Sequence, residues 1–215
     1  MAVPGSGAWS EGAADRGLRV APGTRPARRH PLRFCAVADR LGALEVSPAL
    51  DRPDLLADPV RAALERWEGA HDVGVVEIDP VSADTGAFCE RYGVRPDQSA
   101  NCVVVSAKRE GSARLAACVV LATTRADVNG LVRRHIGARK VSFAPMDVAV
   151  AESGMEHGGI TPVGLPGEWP LLVDAAVVSH ERVVVGSGVR RSKLVLPGPA
   201  LAVLPGATVL RDLGR

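Results

Sequence analysis

The sequence predicts a mixed α/β fold: a largely antiparallel curved sheet, or partial barrel, surrounded by helices. Three observations carry this expectation. Helical periodicity comes early, and many short apolar strands follow it. Two of those strands, NCVVVS (101–106) and LAACVVLA (115–122), flank a polar connection containing Gly111, which is the pattern of a hairpin. Helices and strands do not alternate regularly, as a parallel βαβ sheet requires.

Composition bounds the answer. The chain has 215 residues, enough for one domain plus an appendage, and 47% of them are hydrophobic. Aromatics make up only 3%, so the core must be built from Val, Leu and Ala. Such scarcity argues against an aromatic platform for stacking single strands. A net charge of +2 gives no global case for nucleic acid. The charge is uneven, however: residues 1–30 hold five Arg against Glu11 and Asp15. We expect residues 1–31 to be a disordered basic arm and 32–215 to form a single domain. Cys35, Cys89, Cys102 and Cys118 lack metal-ligand spacing and sit among apolar residues, as buried free thiols do. No apolar run reaches membrane-spanning length and no signal-peptide core opens the chain, so a cytoplasmic location without membrane contact is expected.

In chain order, Leu41 to Pro59 reads as a turn-rich connection. Asp58 and Pro59 open a helix whose apolar face is Val60, Ala63, Leu64 and Trp67. Val73 to Ile78 reads as a strand. Ser82 is placed to cap a second helix carrying Phe88, Cys89 and Tyr92 and stopped by Gly93. After the hairpin, Thr124-x-x-Asp127 reads as a capping-box variant for a helix ending at Gly137. Arg133, Arg134 and His135 then complement the negative end of its dipole. A short strand near Val141 to Phe143 precedes a helix entered at Pro145 and stopped by Gly154. The last part holds strands near Leu171 to Asp174, Arg182 to Val185 and Val189 to Val195, a short helix, and a terminal strand near Ala207 to Leu210.

The stretch from Gly154 to Ala176 stands apart. Gly154, Gly158, Gly159, Pro162, Gly164 and Pro166 make it both permissive and stiff, which suits a binding wall better than a linker. Dinucleotide, Walker, zincin and nucleophile-elbow motifs are absent, and the five His are scattered. No metal and no cofactor is therefore expected.

That stretch, GGITPVGLP followed by WPLLVDAA, resembles the signature of the YbaK family, the prolyl-tRNA editing or aminoacyl-tRNA deacylase domain. The likeness runs back through VVVSAKREG and ACVVLATTRADVNGLVRRHIGARKVSFAP, and forward through VVVGSGVRRSKLVL. It covers roughly Ser82 to Leu210. It implies a YbaK-like fold and hydrolysis of the ester between a wrong amino acid and the terminal ribose of a tRNA. The partners it implies are the tRNA 3′ end, as aminoacyl-adenosine, and a synthetase.

The resemblance also implies a site. Its Gly-x-x-x-Pro element falls on Gly158, Gly159, Thr161 and Pro162, whose glycine amides would face the ester carbonyl. Thr161 would orient water or the α-amine, or brace the turn. Asp174 would hold the loop or meet the substrate amine. Gly186 and Gly188 would add a second backbone wall, with Arg190 beside it. His157 reads as a surface residue. The family usually carries a Lys where this chain has Asn101, so hydrogen bonding is kept and charge is lost. Lys108, Lys140, Arg190, Arg191 and Lys193 are the candidate replacements. Three functions remain open: a trans-editing deacylase, a pocket that binds aminoacyl ligands without turning them over, and a hydrolase of small aminoacyl esters.

Overall fold

The computed structural model describes residues 40–109 and 112–215. The expected basic arm at 1–31, with Cys35, lies outside the described residues. A two-stranded ribbon comes first, β1 (Arg40–Leu41) and β2 (Leu44–Glu45). Then follow β3 (Ser47–Pro48), α1 (Asp58–Arg66), β4 (Gly74–Glu77), α2 (Thr85–Tyr92), and the long hairpin β5 (Ala100–Arg109) and β6 (Ser112–Leu121). A π-helical turn at Val128–Val132 runs into α3 (Arg133–Ile136), β7 (Lys140–Phe143) and α4 (Met146–Ser153). Beyond the Gly/Pro stretch come β8 (Leu171–Asp174), α5 (Ala175–Val178), β9 (Val183–Gly186), β10 (Ser192–Leu196) and β11 (Ala207–Leu210).

The larger strands form two sheets, not a closed barrel: β3-β4-β10-β9 and β11-β8-β6-β5-β7. Pairing is antiparallel except that β8 runs parallel to β6 and to β11. Period-2 alternation explains why these strands are apolar on both faces. Ala117, Val119, Val173, Val185 and Leu194 point into a core shared with Val60 and Leu64 of α1. Their neighbours Cys118, Val120 and Leu172 pack under Val128 and Val132. On the other sheet, Val76, Val184 and Val195 pack on Phe88 and Cys89 of α2.

Several local readings shift. Ala57, not Asp58, is the N-cap of α1, and Asp58 instead meets Arg61 at 3.3 Å. Asp84 holds the N-cap position of α2, while Ser82 is buried and accepts a hydrogen bond from Arg91. Asp127 alone caps the π-turn, accepting from the Gly130 and Leu131 amides at 3.0 and 2.9 Å. Thr124 donates back to the Leu121 carbonyl and takes no part in that cap. The glycine stops are as expected: Gly93, Gly137 and Gly154 all adopt left-handed φ at helix C-caps.

One tertiary feature positions the Gly/Pro stretch. Its start docks backbone-to-backbone on the turn after β9. Glu156 N donates to Gly188 O and Gly188 N donates to Gly159 O, both at 2.8 Å. Glu156 adds a carboxylate oxygen to the Arg190 amide at 2.7 Å. A Cβ at Gly186 would run into the Gly159 and Ile160 carbonyls, and one at Gly159 would meet Val189 backbone at 2.8 Å. No helix among the described residues is long and apolar enough to cross a membrane.

Gly186→Ala is expected to lower unfolding free energy by about 2 kcal/mol or more, because the clash is with main chain that cannot swing away. Gly86→Ala, in α2 with open space around it, should instead raise stability by about 0.5–1 kcal/mol. Paired denaturant melts check both; equal effects would refute the docking constraint.

Candidate functional site

Where β5 enters its sheet, Ser99 bridges Val184 of β9, so the two sheets touch at one corner. A cavity of about 420 Å³ opens beside that corner. This lies within the usual range for small-ligand sites, about 300–1,000 Å³. Its walls come from four places: the start of β5 (Asn101 to Val104), the start of α2 (Asp84, Thr85, Phe88), the end of β9 with Lys193 of β10, and the loop residues His157, Gly158 and Ile160. Phe143 and Met146 stand at its rim, and Phe143 is 66% exposed. An aromatic face is thus offered there, although composition argued against one.

The loop contributes backbone. Gly159 spends its amide on the Glu156 carbonyl at 2.9 Å. Among the described residues, the Gly158 and Ile160 amides have no protein acceptor. Both residues line the cavity. Gly158 has φ +77°, and a Cβ there would press on the end of the Arg190 side chain.

Lys193 is the one of the five candidate cations that lines the cavity. β10 turns it toward α2, on the Val195 side of the strand. It is only 7% exposed, and its Nζ donates to the Ala83 carbonyl at 2.7 Å. Nζ also lies 5.9 Å from the Phe88 ring centroid. Burial pushes its pKa down, and Arg190 adds to that; the Asp84 carboxylate pulls the other way. Across the cavity, Asn101 accepts a hydrogen bond from the Thr85 hydroxyl at 2.7 Å, which leaves the amide NH₂ of its side chain as a donor.

The remaining expected residues fall elsewhere. Arg190 binds the carbonyls of His157 and Pro80 at 3.2 and 3.1 Å and clamps the loop. Arg191 reaches the Asp54 carbonyl. Lys108 and Lys140 face each other across β5 and β7, outside the cavity. Gly159 and Gly188 act behind the wall in the backbone docking, and Pro162 belongs to a separate apolar depression with Trp67 and Trp169. Thr161 is fully buried, and its hydroxyl finds no protein partner. Asp174 does not reach the cavity or hold the Gly/Pro loop: its carboxylate caps α5 through the Ala176 amide at 3.0 Å and also accepts from the Gly214 amide.

The geometry limits the chemistry. Cys102 lines the cavity, but burial drives its thiol pKa well up, and that of neighbouring Cys118 is pushed up to about 12. Neither is a thiolate nucleophile near neutral pH. No cluster of His, Cys, Asp or Glu among the described residues is arranged to hold a metal ion. The cavity is thus lined by two residues whose amides have no protein acceptor among the described residues, a buried lysine, a side-chain amide and apolar groups.

Comparison with solved structures gives the same fold. One similar structure is a candidate trans-editing enzyme for prolyl-tRNA synthetase, at 24% identity and TM-score 0.63, covering 74% of this chain and 96% of that one. A scaffold from work on computational epitope grafting matches equally, at 24% identity and TM-score 0.63 over 74% and 97% of the two chains. The hypothetical protein APE2540 matches at 21% identity and TM-score 0.62, over 71% and 99%. A sequence model of the aminoacyl-tRNA editing domain matches residues 79–204, which span the α2 wall, the hairpin, the docked loop and Lys193. The match takes in more than half of the chain, and the protein belongs to the aminoacyl-tRNA editing domain family.

Proposed function

We propose that the protein is a trans-editing deacylase that hydrolyses the ester of a mischarged tRNA in the cytoplasm. The observation that carries this reading is that Gly158 and Ile160, whose amides have no protein acceptor among the described residues, both line the cavity that Lys193 lines. Water adds to the ester carbonyl, and the oxygen that becomes negative is met by those two N–H groups. Collapse expels the ribose hydroxyl and leaves the free amino acid. Donors fixed by the fold need not reorganise as the charge develops. The substrate's own 2′-hydroxyl assists the water, so no protein base is required.

Lys193 takes the place of the missing family Lys. Its ammonium enters from β10 instead of β5 and meets the terminal nucleotide. Asn101 donates its side-chain amide to the same group. Gly186 keeps the wall thin enough for the loop to dock, and Gly159, Pro162, Gly188 and Arg190 hold the loop's shape. Thr161 and Asp174 act from outside the cavity, the latter by pinning the chain end near Gly214. Apolar residues such as Phe88, Val104 and Val185 sort side chains by size, where one methylene is worth only about 1–3 kcal/mol. A second reading, binding without turnover, is favoured by one observation: the Asn101 side-chain carbonyl is already taken by Thr85.

Deacylation of a panel of mischarged tRNAs separates the two. The deacylase reading expects turnover on at least one tRNA, and Gly158→Ala should lower kcat/KM by about 100-fold while the fold is retained. No turnover at high enzyme concentration on any tRNA, with tight binding of a non-hydrolysable aminoacyl-adenosine, establishes the binding module instead.

Lys193→Met is expected to keep the fold, since Met fills a similar volume, and to cost about 10- to 100-fold in kcat/KM. Burial favours loss of the Lys193 proton, so activity that needs the ammonium fades as pH rises, at a pH below the ordinary lysine value of 10.5. That alkaline limb should be missing from the residual activity of Lys193→Met. A variant as active as the parent, with the same limb, removes Lys193 from the site.

A further inference from the structure

We infer that Lys108, Arg133, Arg134, Arg139 and Lys140 form a docking face for the phosphate backbone of an RNA duplex. The orientation of that duplex, with its 3′ end toward the cavity, rests on the deacylase reading; the binding itself does not.

Charge segregation points to the face. From Val128 to Phe143 the chain carries Arg133, Arg134, Arg139 and Lys140 and not one acid, in a protein whose net charge is only +2. All four are exposed, as is Lys108. Elsewhere, Arg52, Arg61, Arg91, Arg95 and Arg215 each sit against an Asp or Glu. Among the described residues no carboxylate pairs with any of these five cations. Asp127 is the acid whose charge Arg134 feels, but that carboxylate is committed to the Gly130 and Leu131 amides and to Arg215. Arg133 uses one guanidinium nitrogen on the Asn129 carbonyl, with its two terminal nitrogens left over.

The cations are also held together. Ala138 donates its amide to Arg133 O, and Arg139 donates its amide to Lys108 O at 3.0 Å. Lys108 and Lys140 are direct cross-strand partners. Like charges opposite each other cost stability, so the fold sustains this pair against a penalty. A lysine on an edge strand does guard against stray strand pairing, and β7 is an edge. That accounts for Lys140 but not for Arg133, Arg134 and Arg139, which lie before the strand.

Position completes the argument. β7 runs from Lys140 to Phe143, and Phe143 stands at the cavity mouth. Three residues of strand span about 10 Å. A backbone lying on the cations therefore delivers its end to the cavity. Regular phosphates suit clustered, unpaired side-chain cations better than an isolated anion does, and an electrostatic contact of this kind is steeply salt-dependent.

The test uses the full-length protein and an uncharged RNA hairpin ending in single-stranded CCA, with fluorescence anisotropy read across a salt series. The triple variant Arg134→Glu, Arg139→Glu, Lys140→Glu should raise the dissociation constant at least about tenfold at low salt. The slope of log K against log salt should flatten by about 2–3, roughly one per lost cation. Exchanging the same positions conservatively (Arg134→Lys, Arg139→Lys, Lys140→Arg) should preserve binding. Turnover of a 3′-aminoacyl-adenosine, which has no duplex, should stay within about twofold in the triple variant. Unchanged hairpin affinity and slope in that variant overturn the docking face, as does preferential binding of the parent protein to phosphatidylserine vesicles. If the parent hydrolyses no ester yet its hairpin binding collapses in the triple variant, the docking face stands and the deacylase reading falls.

Discussion

The architecture depends on main chain meeting main chain. The segment Glu156–Gly159 and the turn Gly186–Arg190 come together through a reciprocal pair of backbone hydrogen bonds, to which the Glu156 and Arg190 side chains add one contact each. Such contact is possible only where Cβ atoms are missing on both sides, which Gly159 and Gly186 provide. The arrangement has a chemical consequence. The docking consumes the Gly159 carbonyl and the Gly159 amide turns back to the Glu156 carbonyl, while the amides on either side, Gly158 and Ile160, have no protein acceptor among the described residues. A loop held by side chains alone would move by the tenths of an ångström that decide whether a donor meets a developing charge.

The same corner has to accommodate a cation. An ammonium taken out of water is costly unless its protons find acceptors. Lys193 has the Ala83 carbonyl, the field of Asp84 and the face of the Phe88 ring. These contacts all come from the turn that starts α2 and from its first turns. Thr85 in that same region fixes Asn101 from the other side. The start of α2 is therefore the element that aligns the two polar groups of the cavity, although it contributes little charge itself.

Much of this was legible in sequence, for physical reasons that differ by element. Helix ends at Gly93, Gly137 and Gly154 were readable because only glycine takes left-handed φ cheaply. The hairpin was readable because it is local, although its strands run further than the apolar residues alone suggested. Ser82 lost to Asp84 as helix cap, and Thr124 lost to Asp127, because several capping residues stood within reach and tertiary packing chose among them. Asp174 was read as holding the loop or meeting the substrate amine, but it caps α5 through Ala176, and its other partner, Gly214, lies 40 residues away and leaves no local mark. Lys193 was one of five candidate cations, and the alternation that points it at α2 emerges only once both faces of β10 are known to be covered.

Replacement of the expected lysine by Asn101 therefore bears on one function and spares another. In the proposed deacylase, stabilising the ester oxygen falls to backbone donors, and no substitution at position 101 removes them. On that reading, positioning the nucleotide falls to side chains, which can be supplied from any strand that borders the same space. β10 borders it because Ser99 and Val184 bring the two sheets together at that corner. A cation carried by β10 reaches the cavity beside Val184, Val185 and Gly186 of β9, not from β5. Such relocation is open to this fold because its cavity is lined from both sheets; in a site built on a single strand, the loss of one lysine would have had no neighbour to make it good.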